Sequence, residues 1–138
     1  MKAGPILPSH ILDKMSPEDR KELGKAGELP SEVAARLERK AERVLRKQCL
    51  SFCAKHGFCV GTARDDRRST YTVGWPDLTI ILPGRVIFVE LKTAVGVLSD
   101  EQDVILKELT LAHQVATVIR SYEAFLSLMR HYLGRTIN

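Results

Sequence analysis

GWPDLTIILPGRVIFVELK, residues 74 to 92, is the stretch on which the fold turns. Two runs rich in Ile, Val and Leu flank Pro83-Gly84, which reads as a β-hairpin closed by a tight turn. With Pro83 and Gly84 as the loop residues, Leu82 opposes Arg85, and counting back along both strands makes Asp77 the direct partner of Glu90. Both carboxylates then point to one face, about 5 Å apart at Cβ. Opposed acids at the ends of apolar strands repel and destabilise the hairpin unless a cation compensates. Mg2+ is suited to that task, since it accepts one or two carboxylates and keeps positions open for waters and a phosphate oxygen. Lys92 lies two residues past Glu90, so strand alternation puts its ammonium on the same face. There it can stabilise charge on an attacked phosphate or hold the attacking water. Taken singly, each residue has a plain structural role: Asp after Pro as a turn residue, Glu-x-Lys as surface charge on a strand edge. Their convergence by register is what raises the chemical reading above the structural one.

Upstream of the hairpin, residues 31 to about 55 carry Ala34, Leu37, Ala41, Val44, Leu45, Cys49 and Phe52 at spacings of three and four, which predicts an amphipathic helix capped by Gly57. Phe58 to Thr62 reads as a short strand, and the polar ARDDRRSTYTVGW after it as a loop or distorted hairpin. Downstream, Ser99 and Gln102 form a capping box for a helix bearing Val104, Leu106, Leu109 and Leu111. Val115 to Ile119 is an apolar strand, and Ser121 opens a last helix with Phe125, Leu126, Met129 and Leu133. The order α, β, β, β, α, β, α implies an α/β fold, a mixed sheet covered by helices on both sides. Residues 1 to 30, with four prolines and a helix start at Ser16-Pro17, are expected to form an arm, leaving 31 to 138 as one domain.

The 138 residues suffice for one domain with a real core, and no apolar run approaches the ~20 residues of a membrane span. Nothing near the N-terminus reads as a secretory signal, so a cytoplasmic location is expected. Cys49, Cys53 and Cys59 are odd in number and are expected to be thiols. Together with His56 they could form a zinc site, but the paired CxxC spacing is missing and small core residues are the commoner role. A net charge of +4 and a pI of about 9.1 suit a polyanionic partner. Arg36, Arg39, Lys40, Arg43, Arg46 and Lys47 crowd the first helix, where a solvated face and a phosphate-binding patch are equally compatible with the pattern. Arg64, Arg67 and Arg68 crowd the loop, with Tyr71 and Trp75 beside it. Tyr71 could stack on a base; for Trp75 packing is favoured.

Four short motifs occur in order: GWPDL (Gly74 to Leu78), FVELK (Phe88 to Lys92), GVLSDEQ (Gly96 to Gln102) and QVATVIRS (Gln114 to Ser121). Together they resemble the VRR-NUC family of the PD-(D/E)xK nucleases over roughly residues 38 to 130, and the GVLSDEQ segment is the most specific part. The resemblance implies a restriction-endonuclease-like core of αβββαβ order with a C-terminal helix, and a metal-dependent DNA endonuclease using Mg2+ or Mn2+. It implies catalytic roles for Asp77, Glu90, Lys92 and Gln102, with Ser99 nearby, and a further metal ligand on the first helix. Glu42 fits that position best, with Glu38 one turn earlier, and a surface pairing of Glu42 with Arg46 is the plain alternative. Arg64, Arg67, Arg68, Tyr71, Ser99 and Arg120 are candidate nucleic-acid contacts; Arg120 could instead cap the sheet edge. The small size resembles standalone phage and bacterial members, some of which act as homodimers on branched DNA such as four-way junctions. One departure is Ala112-His113-Gln114, where relatives usually carry a glycine. Two rivals of other classes are a DNA-structure-binding module without cleavage and an interaction or inhibitor protein working through its arm.

Overall fold

A computed structural model describes Lys14, Ser16, residues 30–63 and residues 72–134. The chain falls into two compact units, Met1–Ala41 and Glu42–Asn138. The division lies inside the first helix, α1 (Pro30–Lys55), and the sheet and the candidate site belong wholly to the second unit. The expected short helix near Ser16 and the arm around it lie mostly outside the described residues. No helix among the described residues is long and apolar enough to cross a membrane.

The second unit is mixed α/β. After α1 come β1 (Cys59–Thr62), β2 (Leu78–Leu82), β3 (Arg85–Leu91), α2 (Asp100–Leu111), β4 (Val115–Ile119) and α3 (Tyr122–Leu133). The four strands form one sheet in the order β1-β2-β3-β4. The first three pair antiparallel, and β4 joins β3 in parallel, a pairing that needs a long crossover, here supplied by α2. The hairpin register is as expected: Leu82 pairs with Arg85, Gly84 takes φ +74° in the turn, and Leu78 pairs with Val89.

Alternation along the hairpin buries Leu78, Ile80, Leu82, Ile87, Val89 and Leu91 on one face. There they meet Leu45, Cys49, Phe52 and Cys53 of α1 and Phe125 and Met129 of α3 in a single core cluster. Phe52 and Phe125 meet edge to face at 5.4 Å, joining the two helices. Two apolar stripes differ from expectation. On α1 the second unit's buried stripe runs through Leu45, Cys49, Phe52 and Cys53, while Val44 is half exposed. On α2 no residue is fully buried; the expected Leu106 and Leu109 are half-buried, Val104 and Leu111 face outward, and Ile105 is half-buried instead.

Helix ends follow local chemistry. Ser99 caps α2 with the complete capping box, and Ser121 caps α3. Gly57, φ +73°, ends α1 as expected. After α2 the chain reverses at His113, φ +59°, the one non-glycine residue in the left-handed region among those described. This is where the resemblance would have a glycine, so the departure in sequence is met by a histidine forced into a glycine conformation.

Candidate active site at the open end of the hairpin

Asp77 and Glu90 lie at the end of the hairpin away from the turn. The ladder stops at Leu78 and Val89, one step short of them, so the two acids are not ladder partners as expected but face each other just beyond the last rung. At that step the Asp77 carboxylate turns across and its Oδ2 accepts the Leu91 amide at 2.8 Å. The Asp77 carbonyl accepts the Ala63 amide at 3.0 Å, which ties the other end of the residue to the chain beyond β1. Both acids are buried, Asp77 8% and Glu90 2% exposed. Acids are almost never so buried unless paired, so the site needs a cationic explanation.

Three side chains supply polar contacts. Gln102 Nε2 donates to Glu90 Oε1 at 2.8 Å, while its Oε1 accepts the Ser99 amide at 2.9 Å. Lys92 Nζ stands 3.6 Å from the same Glu90 oxygen, and the Lys92 amide donates to Ile119 O, anchoring the residue to β4. From α1, Arg46 Nη1 stands 3.9 Å from Asp77 Oδ1, and its Nη2 donates to Ala63 O. Burial, reinforced by the negative charge of Asp77, pushes the Glu90 carboxyl up to about 8 in spite of Lys92. Near neutral pH Glu90 therefore keeps its proton.

Gly74 explains why the motif begins with glycine. Its φ is +87°, and a Cβ there would lie 2.5 Å from the Glu101 carbonyl carbon and 2.7 Å from the Gln102 nitrogen. The absence of a side chain lets the Asp77 loop touch the first turn of α2, which carries Gln102 to Glu90. Trp75 and Phe88 pack edge to face at 5.7 Å, so Trp75 does pack, as favoured, and stays 38% exposed.

The donor set fits a hard divalent cation. Asp77 Oδ2 is committed to the Leu91 amide and Glu90 Oε1 to Gln102 and Lys92, which leaves Asp77 Oδ1 and Glu90 Oε2 as the oxygens a cation would use. Two carboxylates plus waters are an ordinary Mg2+ set. Glu42 on α1 is half-buried and engaged in a contact, and among the described residues no three His, Cys, Asp or Glu side chains group as metal ligands. Glu38 belongs to the first unit's part of the helix.

The structure brings together Asp77, Glu90, Lys92 and Gln102. Ser99 serves as the cap of α2, its Oγ accepting the Gln102 amide. Arg120 Nη1 donates to Thr93 O and Gly96 O at 2.8 and 2.7 Å, so it closes the loop after β3. This is closer to the capping role than to a phosphate contact. Arg64, Arg67, Arg68 and Tyr71 lie outside the described residues. The cysteines do not resemble a zinc site: Cys49 and Cys53 are core residues whose thiols burial pushes up to about 12 and 11, and Cys59 is exposed on β1. Arg46 is the site residue that sequence reasoning missed; its only signal was its place one turn beyond Glu42 in a basic helix.

Comparison with protein-family models, curated proteins and solved structures finds no match to this chain.

Proposed function

We propose that the protein is a divalent-metal-dependent endonuclease that hydrolyses phosphodiester bonds in DNA, built on the PD-(D/E)xK plan and akin to the VRR-NUC family. The observation that carries this reading is the buried Asp77–Glu90 pair with Lys92 3.6 Å from Glu90 and Gln102 bonded to it. Hairpin packing alone has no use for two acids one step beyond an apolar ladder, where an apolar pair would be more stable.

Asp77 and Glu90 would hold Mg2+ or Mn2+, which when bound supplies Lewis acidity at the phosphoryl oxygen and an activated water at neutral pH. The chain's own groups do the remaining work. The Leu91 amide fixes the Asp77 carboxylate, and Gln102 fixes Glu90, so both are held before substrate arrives. Lys92, 14% exposed and held at its backbone by β4, presents a positive charge to the phosphate and stabilises the charge that develops there. Branched DNA is the substrate we favour, with two copies of the chain bringing two sites to a symmetric junction.

The test is incubation of purified protein with labelled four-way junction, flap, plain duplex and single strand, in Mg2+, Mn2+ or EDTA. Cutting that needs the metal and favours the junction supports the full reading; equal cutting of all duplexes keeps the nuclease and removes the junction preference. Junction binding with no cutting in either metal replaces it with a binding module.

A further inference from the structure

Of the four basic residues between Glu42 and Lys55 on α1, Arg46 is half-buried while Arg43, Lys47 and Lys55 are exposed. A basic helix face is ordinarily a solvated one, and solvation alone would turn all its charges outward. Arg46 instead turns inward, with Nη2 donating to Ala63 O and Nη1 3.9 Å from Asp77 Oδ1, beyond hydrogen-bond range. A guanidinium carries five donors in a planar fork, and this one keeps 28% of its side chain exposed at the edge of the site. Arg43, one turn before it, is exposed and adjoins it on the helix surface, and the exposed Lys47 in turn adjoins Arg43 at a spacing of four. Between Glu42 and Lys55 the helix carries Arg43, Arg46, Lys47 and Lys55 against the single acid Glu42.

Formal charges at the site make the same point. With both acids ionised, Asp77 and Glu90 balance Lys92 and Arg46, so a divalent cation added to the ionised pair leaves a surplus of positive charge that favours an anionic ligand. Arg also matches the oxygens of a phosphodiester in a bidentate way that Lys does not.

We infer that Arg43, Arg46 and Lys47 form a track on α1 that holds the phosphate backbone of the nucleic-acid substrate, with Arg46 gripping the phosphate beside the carboxylate pair. The inference rests on the reading of that pair as a phosphodiester-cleaving centre. Arg46 is a binding and positioning residue, and Arg43 and Lys47 extend its grip along the strand.

The experiment is fluorescence anisotropy of a labelled junction and a labelled duplex in EDTA across 50 to 200 mM KCl. Wild type is compared with Arg43→Gln, Lys47→Gln, Arg46→Gln and Arg46→Lys, and with Arg85→Gln at the far tip of the hairpin. Each neutralised phosphate contact lowers the slope of log affinity against log salt by about 0.9. Arg43→Gln and Lys47→Gln, both at exposed positions, should each show that loss with an unchanged Tm. Arg46→Gln should show it too, and Arg46→Lys should regain the slope but not the full affinity. Arg85→Gln should match wild type. Unchanged slopes for Arg43→Gln and Lys47→Gln in a protein that still cuts DNA would overturn the track and leave the nuclease reading standing. Lost slopes in a protein that never cuts would keep the track and remove the cleavage. No binding by wild type at 50 mM salt would overturn the track, and cutting in Mg2+ or Mn2+ decides the nuclease reading separately.

Discussion

The Gln102 carboxamide donates to Glu90 Oε1 at 2.8 Å while accepting the Ser99 amide at 2.9 Å, so the residue that completes the cap of α2 also fixes one acid of the site. Helix stability and site geometry are thereby coupled through one side chain. Gln102→Leu removes both contacts and leaves Glu90 with Lys92 and Asp77. We expect a loss of about 2 kcal/mol from the cap and the hydrogen bond together, read as a fall in Tm. Cleavage should fall further than the folded fraction does, since the remaining folded protein holds Glu90 loosely.

Glu90 gives a pH dependence with a definite sign. Its carboxyl is raised from 4.5 to about 8, chiefly by burial. Across that window the folded state keeps a proton that the unfolded state has lost, so metal-free stability falls as pH rises from about 4.5 to about 8 and levels off beyond. Thermal unfolding in EDTA at pH 6 and pH 9 should show the lower Tm at pH 9. Glu90→Gln should flatten this slope and raise the metal-free Tm at pH 9. The Tm increase produced by Mn2+ should grow with pH over the same window in wild type and be largely absent in Glu90→Gln.

Gly74 is the most constrained backbone position near the site. An added Cβ meets backbone atoms of Glu101 and Gln102, which cannot give way as a flexible side chain would. Gly74→Ala should cost about 2 kcal/mol or more from the left-handed conformation and the overlap. Any folded protein should have α2 pushed away from the loop, with cleavage impaired even below its Tm.

His113 offers the opposite case. It pays for the left-handed turn after α2 in backbone strain of about 1 kcal/mol, and it lies at the end of α2 away from Gln102. His113→Gly should raise Tm by a few degrees and leave cleavage unchanged.

Much of this was legible in the residues because the relevant physics is local. Apolar alternation, Pro83-Gly84 and the Ser99–Gln102 spacing define the hairpin register and the α2 cap without knowledge of the rest. What was not legible depends on packing between distant segments. Gly74 against Glu101 joins a loop to a helix 27 residues on, and Arg46 beside Asp77 joins α1 to the hairpin, so neither leaves a trace at short spacing. The turned-out Val44, Val104 and Leu111 belong here too: periodicity shows that a helix has an apolar stripe, and only the sheet decides which residues fill it.

The central claim is that Asp77, Glu90 and Lys92 form a metal-dependent cleaving site, and Lys92→Met tests it most directly. Met keeps an unbranched apolar stem, one heavy atom shorter, and removes the ammonium with its charge and donors. Cleavage of junction DNA in Mn2+ by wild type and variant, with circular dichroism showing both folded, should give a loss of about a hundredfold or more. A folded Lys92→Met protein that cuts DNA at the wild-type rate would contradict the account.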